Sequence, residues 1–223
     1  EYGIFVEGTG RKAEWVMRKI VSLLLSFGMI FALAACSQSA ASEKQEQIQS
    51  AVQKTEEQEA DVSTKTLVVY FSCTGTTKQL AEYAAEILGA DLYEIVPEDL
   101  YTEADLAYYT NGRADQEQND SNVRPAISGG VENMNEYNTI ILGYPIWHGQ
   151  APRIISTFLE SYDFSGKTIV PFCTSHSSGI GSSADNLHVL CADSTLWMEG
   201  RRFESGTSKE AMEEWLNHTD ISN

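Results

Sequence analysis

With 32 Asp and Glu against 15 Lys and Arg in 223 residues, the chain carries a net charge of −17, which excludes nucleic acid as a partner because phosphate-backbone binding needs a basic surface. The stretch before Cys36 holds four of the cations and three of the carboxylates, so the remainder carries 11 Lys and Arg against 29 Asp and Glu, net −18. Such a balance favours a neutral or basic partner and solubility at a cell surface, while 42 % hydrophobic residues suffice for one domain-sized core.

Residues 1–16 precede Met17-Arg18-Lys19-Ile20, which has the form of a normal start, and they are set aside from fold reasoning. Arg18-Lys19 lead into an apolar run from Ile20 to Ala32, followed by Leu33-Ala34-Ala35-Cys36 and Ser37-Gln38. This is the pattern of a secretory signal with a small-residue cleavage site, and it is too short for a comfortable membrane span. A cysteine directly after Leu-Ala-Ala resembles the lipobox of bacterial lipoproteins, which implies that Cys36 becomes a lipidated N-terminus. The expected location is outside the cytoplasm, at the cell membrane. Residues 37–65 are Ala, Ser, Glu, Gln and Val with almost no large apolar side chains, so they cannot offset their ordering entropy and are expected to act as a flexible polar tether. The folded domain is expected over residues 66–223.

Within it, an apolar β-branched strand spans residues 66–71, and a helical period (Leu80, Ala81, Ala84, Ala85, Leu88) follows. A short strand at residues 91–96 is closed by Pro97. Residues 97–127 are rich in Asp, Asn, Gln and Tyr with little apolar period, which argues against a regular second crossover helix. A buried strand at 138–143 precedes a helix at 152–162, whose apolar face includes Ile154, Ile155, Phe158 and Leu159. A strand at 168–172, a helix near 182–190, a strand at 195–198 and a helix at 209–218 complete the order. Alternating helices and two-sided apolar strands predict a parallel sheet covered on both faces, a three-layer α/β domain.

In such sheets ligands bind beyond the carboxyl ends of the strands. Three loops there are unusual. The first, Ser72-Cys73-Thr74-Gly75-Thr76-Thr77, joins strand to helix with hydroxyls, a glycine that lets backbone approach an anion, and the free amides of the next helix. It lacks the Gly-Lys-Ser/Thr of nucleoside triphosphatases and the G-x-G-x-x-G of dinucleotide folds, which leaves a monophosphate or an ordinary capped turn. The second is Gly143-Tyr144-Pro145-Ile146-Trp147-His148-Gly149, which is expected to expose an aromatic just past a buried strand, and the third is the polar segment from Cys173 through Thr174, Ser175, His176, Ser177, Ser178 and Gly179 to Gly181. A cradle, an aromatic platform and a polar rim describe a planar phosphorylated cofactor.

On these residues the chain resembles the flavodoxin family: Ser72-x-Thr74-Gly75-x-Thr77 matches its FMN-phosphate motif, Pro145-Ile146-Trp147-His148-Gly149 its first isoalloxazine loop, and residues 173–181 its second. The likeness runs from Thr66 to about His218 and is strongest toward flavodoxin-like lipoproteins of Gram-positive anaerobic bacteria. It implies a five-stranded parallel sheet of order 2-1-3-4-5, and noncovalent FMN cycling among oxidised, semiquinone and hydroquinone states. It also implies contacts to FMN from Ser72, Cys73, Thr74, Gly75, Thr76, Thr77, Pro145, Ile146, Trp147, His148, Gly149, Thr174, Ser175, His176, Ser177 and Gly179, with Trp147 stacked on the ring and backbone of Ile146, His148 and Gly149 at its reactive edge.

His148 and His176 both fall on these loops, where an imidazole either stabilises reduced flavin, passes it a proton, or is simply a surface histidine, and His176 is the one expected to tune the redox couple. Tyr108 and Tyr109 either fold over the cofactor or pin the long insert to the core. Cys73 is expected as a small filler with its thiol toward the core, whereas Cys173 and Cys191 are either paired or free. No cysteine spacing suits a zinc site or an iron–sulfur cluster, and Ser175-His176 has no carboxylate third member and no G-x-S-x-G elbow. The expected function is a monomeric electron carrier with a basic redox partner. The alternatives are an FMN-dependent NAD(P)H reductase of quinones or nitro compounds, and a surface binding protein without flavin.

Overall fold

A computed structural model describes residues 65–219 and 221; the signal segment, Cys36 and the tether up to residue 64 lie outside them. Among the described residues no helix is long and apolar enough to cross a membrane.

Chain order is β1 (Lys65–Tyr70), α1 (Thr76–Leu88), β2 (Asp91–Glu94), β3 (Val96–Pro97), α2 (Glu103–Leu106), α3 (Arg113–Asn119), β4 (Ile127–Ser128), β5 (Tyr137–Pro145), α4 (Arg153–Glu160), β6 (Thr168–Thr174), α5 (Asp185–His188), β7 (Leu196–Trp197), β8 (Arg201–Phe203) and α6 (Lys209–Asn217). The main sheet runs β2-β1-β5-β6-β7, with β8 also pairing β6, and every pairing in it is parallel. Taking β7 and β8 as one interrupted edge strand, the order is 2-1-3-4-5, as expected.

The strand residues alternate between two cores. Leu67, Val69, Phe71, Ile140, Leu142 and Ile169 pack with Ile154, Ile155, Phe158 and Leu159 of α4 on one face. Val68, Tyr70, Ile141, Val170 and Phe172 meet Leu80, Ala81, Ala84 of α1 and Met212, Trp215 and Leu216 of α6 on the other. Burial of apolar residues on both sides of each central strand is what makes the run non-alternating in sequence.

Pro171 explains the split edge strand. The amide of Met198 donates to Ile169 O at 2.9 Å, so by strand periodicity residue 171 presents its nitrogen to the same side and has no hydrogen there to donate. Residues 198–200 leave the ladder at this level, and Gly200 comes so close that a Cβ would lie 2.9 Å from Pro171 O and 2.4 Å from Ile180 Cδ1.

Three expectations change. The helix near 182–190 shortens to Asp185–His188, because Ser183 spends its hydroxyl on Ile180 O (2.6 Å) and on the Tyr144 hydroxyl (3.1 Å), holding a turn instead of a helical start. Residues 97–127 hold no single regular crossover helix, as expected, but two short helices, and β3 and β4 form an antiparallel pair outside the main sheet where no strand pairing was expected. Finally, β8 has no apolar run to announce it. Its backbone pairs with Phe172, Cys173 and Thr174 while its arginines point elsewhere.

Gly143 sits where β5 passes under the Phe172 ring, and a Cβ there would lie 2.2 Å from Phe172 Cζ. Phe172 is itself held edge-on by Phe203 and Trp215 at 6.1 and 6.0 Å. Gly143→Ala is therefore expected to destabilise the domain by about 2 kcal/mol, read from the midpoint of urea unfolding at unchanged m-value.

Candidate functional site

Register brings the carboxyl ends of three strands to one level: Tyr70 lies beside Gly143, Tyr144 beside Cys173 and Pro145 beside Thr174. The loops that leave them enclose a cavity of about 530 Å³. It takes Ser72, Cys73, Thr74, Thr76 and Thr77 from the first loop, Pro145, Ile146, Trp147 and His148 from the second, and Thr174, Ser175 and His176 from the third.

The first loop is a cradle built from backbone. Gly75, at φ 86°, caps α1 and donates its amide to Ser72 Oγ at 3.1 Å. The first i→i−4 bond of α1 is Gln79 N to Gly75 O at 3.0 Å, so the amides of Thr76, Thr77 and Lys78 have no intrahelical acceptor. Thr77 and Thr174, both buried, join hydroxyls at 2.8 Å and lock this loop to the end of β6. Among the described residues, no lysine or arginine lines the cavity. An anion there meets hydroxyls, amides and the positive end of a helix, a donor set that suits a phosphate monoester.

The second loop turns on Trp147 and Gln150, which exchange backbone hydrogen bonds at 2.9 and 3.0 Å. The central residues, His148 at φ 49° and Gly149 at φ 77°, make a type I′ turn. Trp147, expected to be exposed, is only 8 % exposed, because it stands edge-on to Phe71 and Tyr101 with centroids 5.5 and 5.2 Å away. The third loop is tied down by Arg202 of β8, whose guanidinium donates to Ser175 Oγ (2.9 Å), Ser175 O (3.2 Å), His176 O (2.8 Å) and Glu204 (2.9 Å).

The insert between β3 and β4 supplies a fourth wall with Leu106, Tyr108, Ala114 and Asp115. Beneath Trp147, Arg113 pairs with Glu117 at 2.7 Å and lies 4.2 Å over the Tyr101 ring, whose hydroxyl also donates to Glu117. Gln118 donates to the carbonyls of Trp147 and Ala151 at 3.0 and 3.2 Å, and the Tyr108 hydroxyl to Ile146 O at 3.3 Å. Buried Asp115 accepts from His148 Nε2 at 2.7 Å and from the Asn111 amide at 2.9 Å. Burial alone would raise its carboxyl, but His148 and the amides of Asn111 and Tyr109 outweigh that and hold it below the usual range.

Several expected positions fall elsewhere. Gly75 lies on a shallow neighbouring depression with Lys78, Gln79 and Ser205, its left-handed φ serving the cradle's shape. Gly149, Ser177 and Gly179 do not line the cavity: the first completes the turn, and the other two sit exposed on the outer rim. Cys73 is exposed on the cavity wall instead of filling the core, since Phe71 and Thr77 occupy the interior on either side of it. Cys173 and Cys191 are not paired, with each other or with any cysteine among the described residues; burial pushes the Cys173 thiol up to about 12. Tyr108 lines the cavity, while Tyr109 is 89 % exposed and does not. Sequence reasoning missed Leu106, Ala114, Asp115, Glu204 and Ser205. Only the hydroxyl-and-glycine run Ser205-Gly206-Thr207-Ser208 before α6, a second cap-like loop, carried a signal for any of them.

The flavodoxin family model matches residues 65–219. A candidate flavoprotein from Bacteroides eggerthii is 43 % identical with a TM-score of 0.66, the match covering 71 % of this chain and 99 % of that one. A second, from Bacteroides uniformis, is also 43 % identical at a TM-score of 0.66, covering 69 % and 98 %. A flavoprotein from Lactobacillus acidophilus, solved in complex with FMN, is 26 % identical with a TM-score of 0.51, covering 63 % and 93 %. No curated protein matches the chain.

A carboxyl held below its ordinary value contributes stability that is fully present above the unfolded pKa, about 3.9, and is lost as pH falls through the folded value. Asp115→Asn is therefore expected to cost stability at pH 7, and the gap between the two proteins is expected to narrow below about pH 4, in urea unfolding measured across pH.

Proposed function

The chain belongs to the flavodoxin family, and from that premise we propose that its domain binds FMN noncovalently and carries single electrons to or from a basic redox protein, acting as a monomer. The observation that carries the reading is the cradle at the start of α1, where Ser72, Thr74, Thr76 and Thr77 line the cavity beside helix-start amides without intrahelical acceptors and, among the described residues, no lysine or arginine lines it. When bound, FMN supplies the electron chemistry at its isoalloxazine ring. The chain's residues bind its phosphate at the cradle, offer the Trp147 indole as a flat wall, and shield the site with Leu106 and Tyr108. The net charge of −18 beyond Cys36 favours a cationic protein over an anionic nicotinamide dinucleotide.

A second reading, an FMN-dependent reductase of quinones or nitro compounds, is favoured by the insert, which adds a fourth wall where a small substrate would be held. Anaerobic titration separates the two. A carrier is expected to accumulate a species one electron below the oxidised form under dithionite and to ignore NADH and NADPH; rapid two-electron reduction by either nicotinamide would establish the reductase.

With at least three cradle hydrogen bonds at about 1 kcal/mol each, riboflavin is expected to bind about 100-fold more weakly than FMN, measured by quenching of flavin fluorescence. Equal affinities would remove the phosphate role of the loop.

We further propose that the protein works outside the cytoplasm on a lipid attached to Cys36, in the manner of the lipoproteins of Gram-positive anaerobes, a reading supported by the Leu33-Ala34-Ala35-Cys36 pattern after an apolar run. Fatty-acid labelling of the expressed protein, abolished in Cys36→Ser, is the expected result.

A further inference from the structure

His148 lines the cavity, and its side chain is 27 % exposed. One nitrogen, Nε2, lies 2.7 Å from Asp115 Oδ1, while the other carboxylate oxygen accepts from the Asn111 amide at 2.9 Å. A carboxylate engaged by backbone amides and kept ionised has no proton to give, so Nε2 is the donor in both charge states of the ring. The atom that gains or loses a proton is therefore Nδ1, which has no hydrogen-bond partner among the described residues.

His176 differs. It is exposed, its ring has no partner among the described residues, and only its carbonyl is used, by Arg202. The groups packed against His148 are Asp115 of α3 and the Tyr108 and Tyr109 rings, with centroids 5.1 and 5.7 Å away; His176 and Glu204 line the same cavity. Among the described residues, no lysine or arginine lines it. An electron added here raises negative charge in a site lined by the Asp115 carboxylate and by Glu204, which is paired with Arg202 at 2.9 Å, and among the described lining residues His148 is the anchored side chain able to answer it by taking up a proton.

We propose that His148 is the proton-coupling group of this cavity and that Asp115 is its positioning residue, so that electron uptake by the bound flavin draws one proton from water onto His148 Nδ1. The inference rests on the FMN reading. In the step a one-electron donor is oxidised, the flavin gains that electron, water supplies the proton through hydronium, and Asp115 stays a carboxylate throughout. By linkage, whatever factor the electron adds to the proton affinity of His148, protonation adds to the flavin's affinity for the electron.

The test is NMR titration of histidine imidazoles in the 15N-labelled full chain loaded with FMN, over about pH 5–9 around the ordinary imidazole range, once oxidised and once fully reduced by dithionite. Loading is checked first by quenching of FMN fluorescence, and His148→Gln assigns the resonance. The expected result is at least a tenfold higher proton affinity of His148 in the reduced protein, a smaller change at His176, and a neutral His148 ring found as the Nε2–H tautomer in the wild type but as a mixture in Asp115→Asn. An unchanged His148 titration in FMN-loaded protein overturns this inference and leaves FMN binding intact. Failure to take up FMN overturns both.

Discussion

Everything in the site depends on the parallel pairing of β1, β5 and β6. Parallel strands in register end at one level, and because β5 pairs with both neighbours, the loops after Tyr70, Pro145 and Thr174 leave the sheet side by side. Ile146 N still donates to Thr174 O at 2.9 Å past the last paired residue, and the Thr77 and Thr174 hydroxyls close the gap on the other side. The cavity is thus an extension of the sheet's own hydrogen-bonding, held by the same register that aligns the two cores. A slip of one residue in β5 would exchange its two buried faces, so the hydrophobic packing enforces the site's geometry as well as the fold.

The central sheet was legible in the sequence because burial on both sides leaves long runs such as Leu67-Val68-Val69 and Ile140-Ile141-Leu142, and the cradle because hydroxyls and a glycine stand between such a run and a helical period. The insert was not legible, for a physical reason. Its buried residues include Asp115 and Glu117, which enter the interior only because His148, Arg113, Tyr101 and backbone amides satisfy them. No periodicity records that kind of burial, since the partners are remote in sequence. The fifth strand failed for a related reason, because the residue that divides it, Pro171, belongs to the strand beside it.

The insert also changes what the second loop is. A type I′ turn with a non-glycine residue at φ 49° costs on the order of 1 kcal/mol, and His148 occupies that place. Asp115 anchors its ring from one side, Gln118 holds the Trp147 and Ala151 carbonyls from below, and Arg153 reaches back from α4 to the carbonyls of Glu117 and Gln118 at 3.3 and 2.9 Å. The strain is over-determined by contacts that all come from residues 113–118 and the start of α4. Such strain persists only where the surroundings impose it. The polar insert is accordingly the scaffold of the turn, and the turn's aromatic and imidazole are presented to the cavity by it.

Charge follows the same division of labour. The cradle end offers an anion amides and hydroxyls, and among the described residues no lysine or arginine lines the cavity itself, Lys78 lying on the depression beside it and pairing with Glu94 at 3.3 Å. At the insert end the fixed charge is that of Asp115, while Glu204 across the cavity is paired with Arg202 at 2.9 Å, and the Asp115 carboxylate opposes adding more negative charge beside it. A site built this way resists reduction unless a group that can change its own charge stands within it. His176 shares the cavity but not the constraint, because its loop is held by Arg202 through carbonyls and leaves the imidazole unanchored. Orientation, and with it a defined proton position, belongs to the histidine that the insert grips.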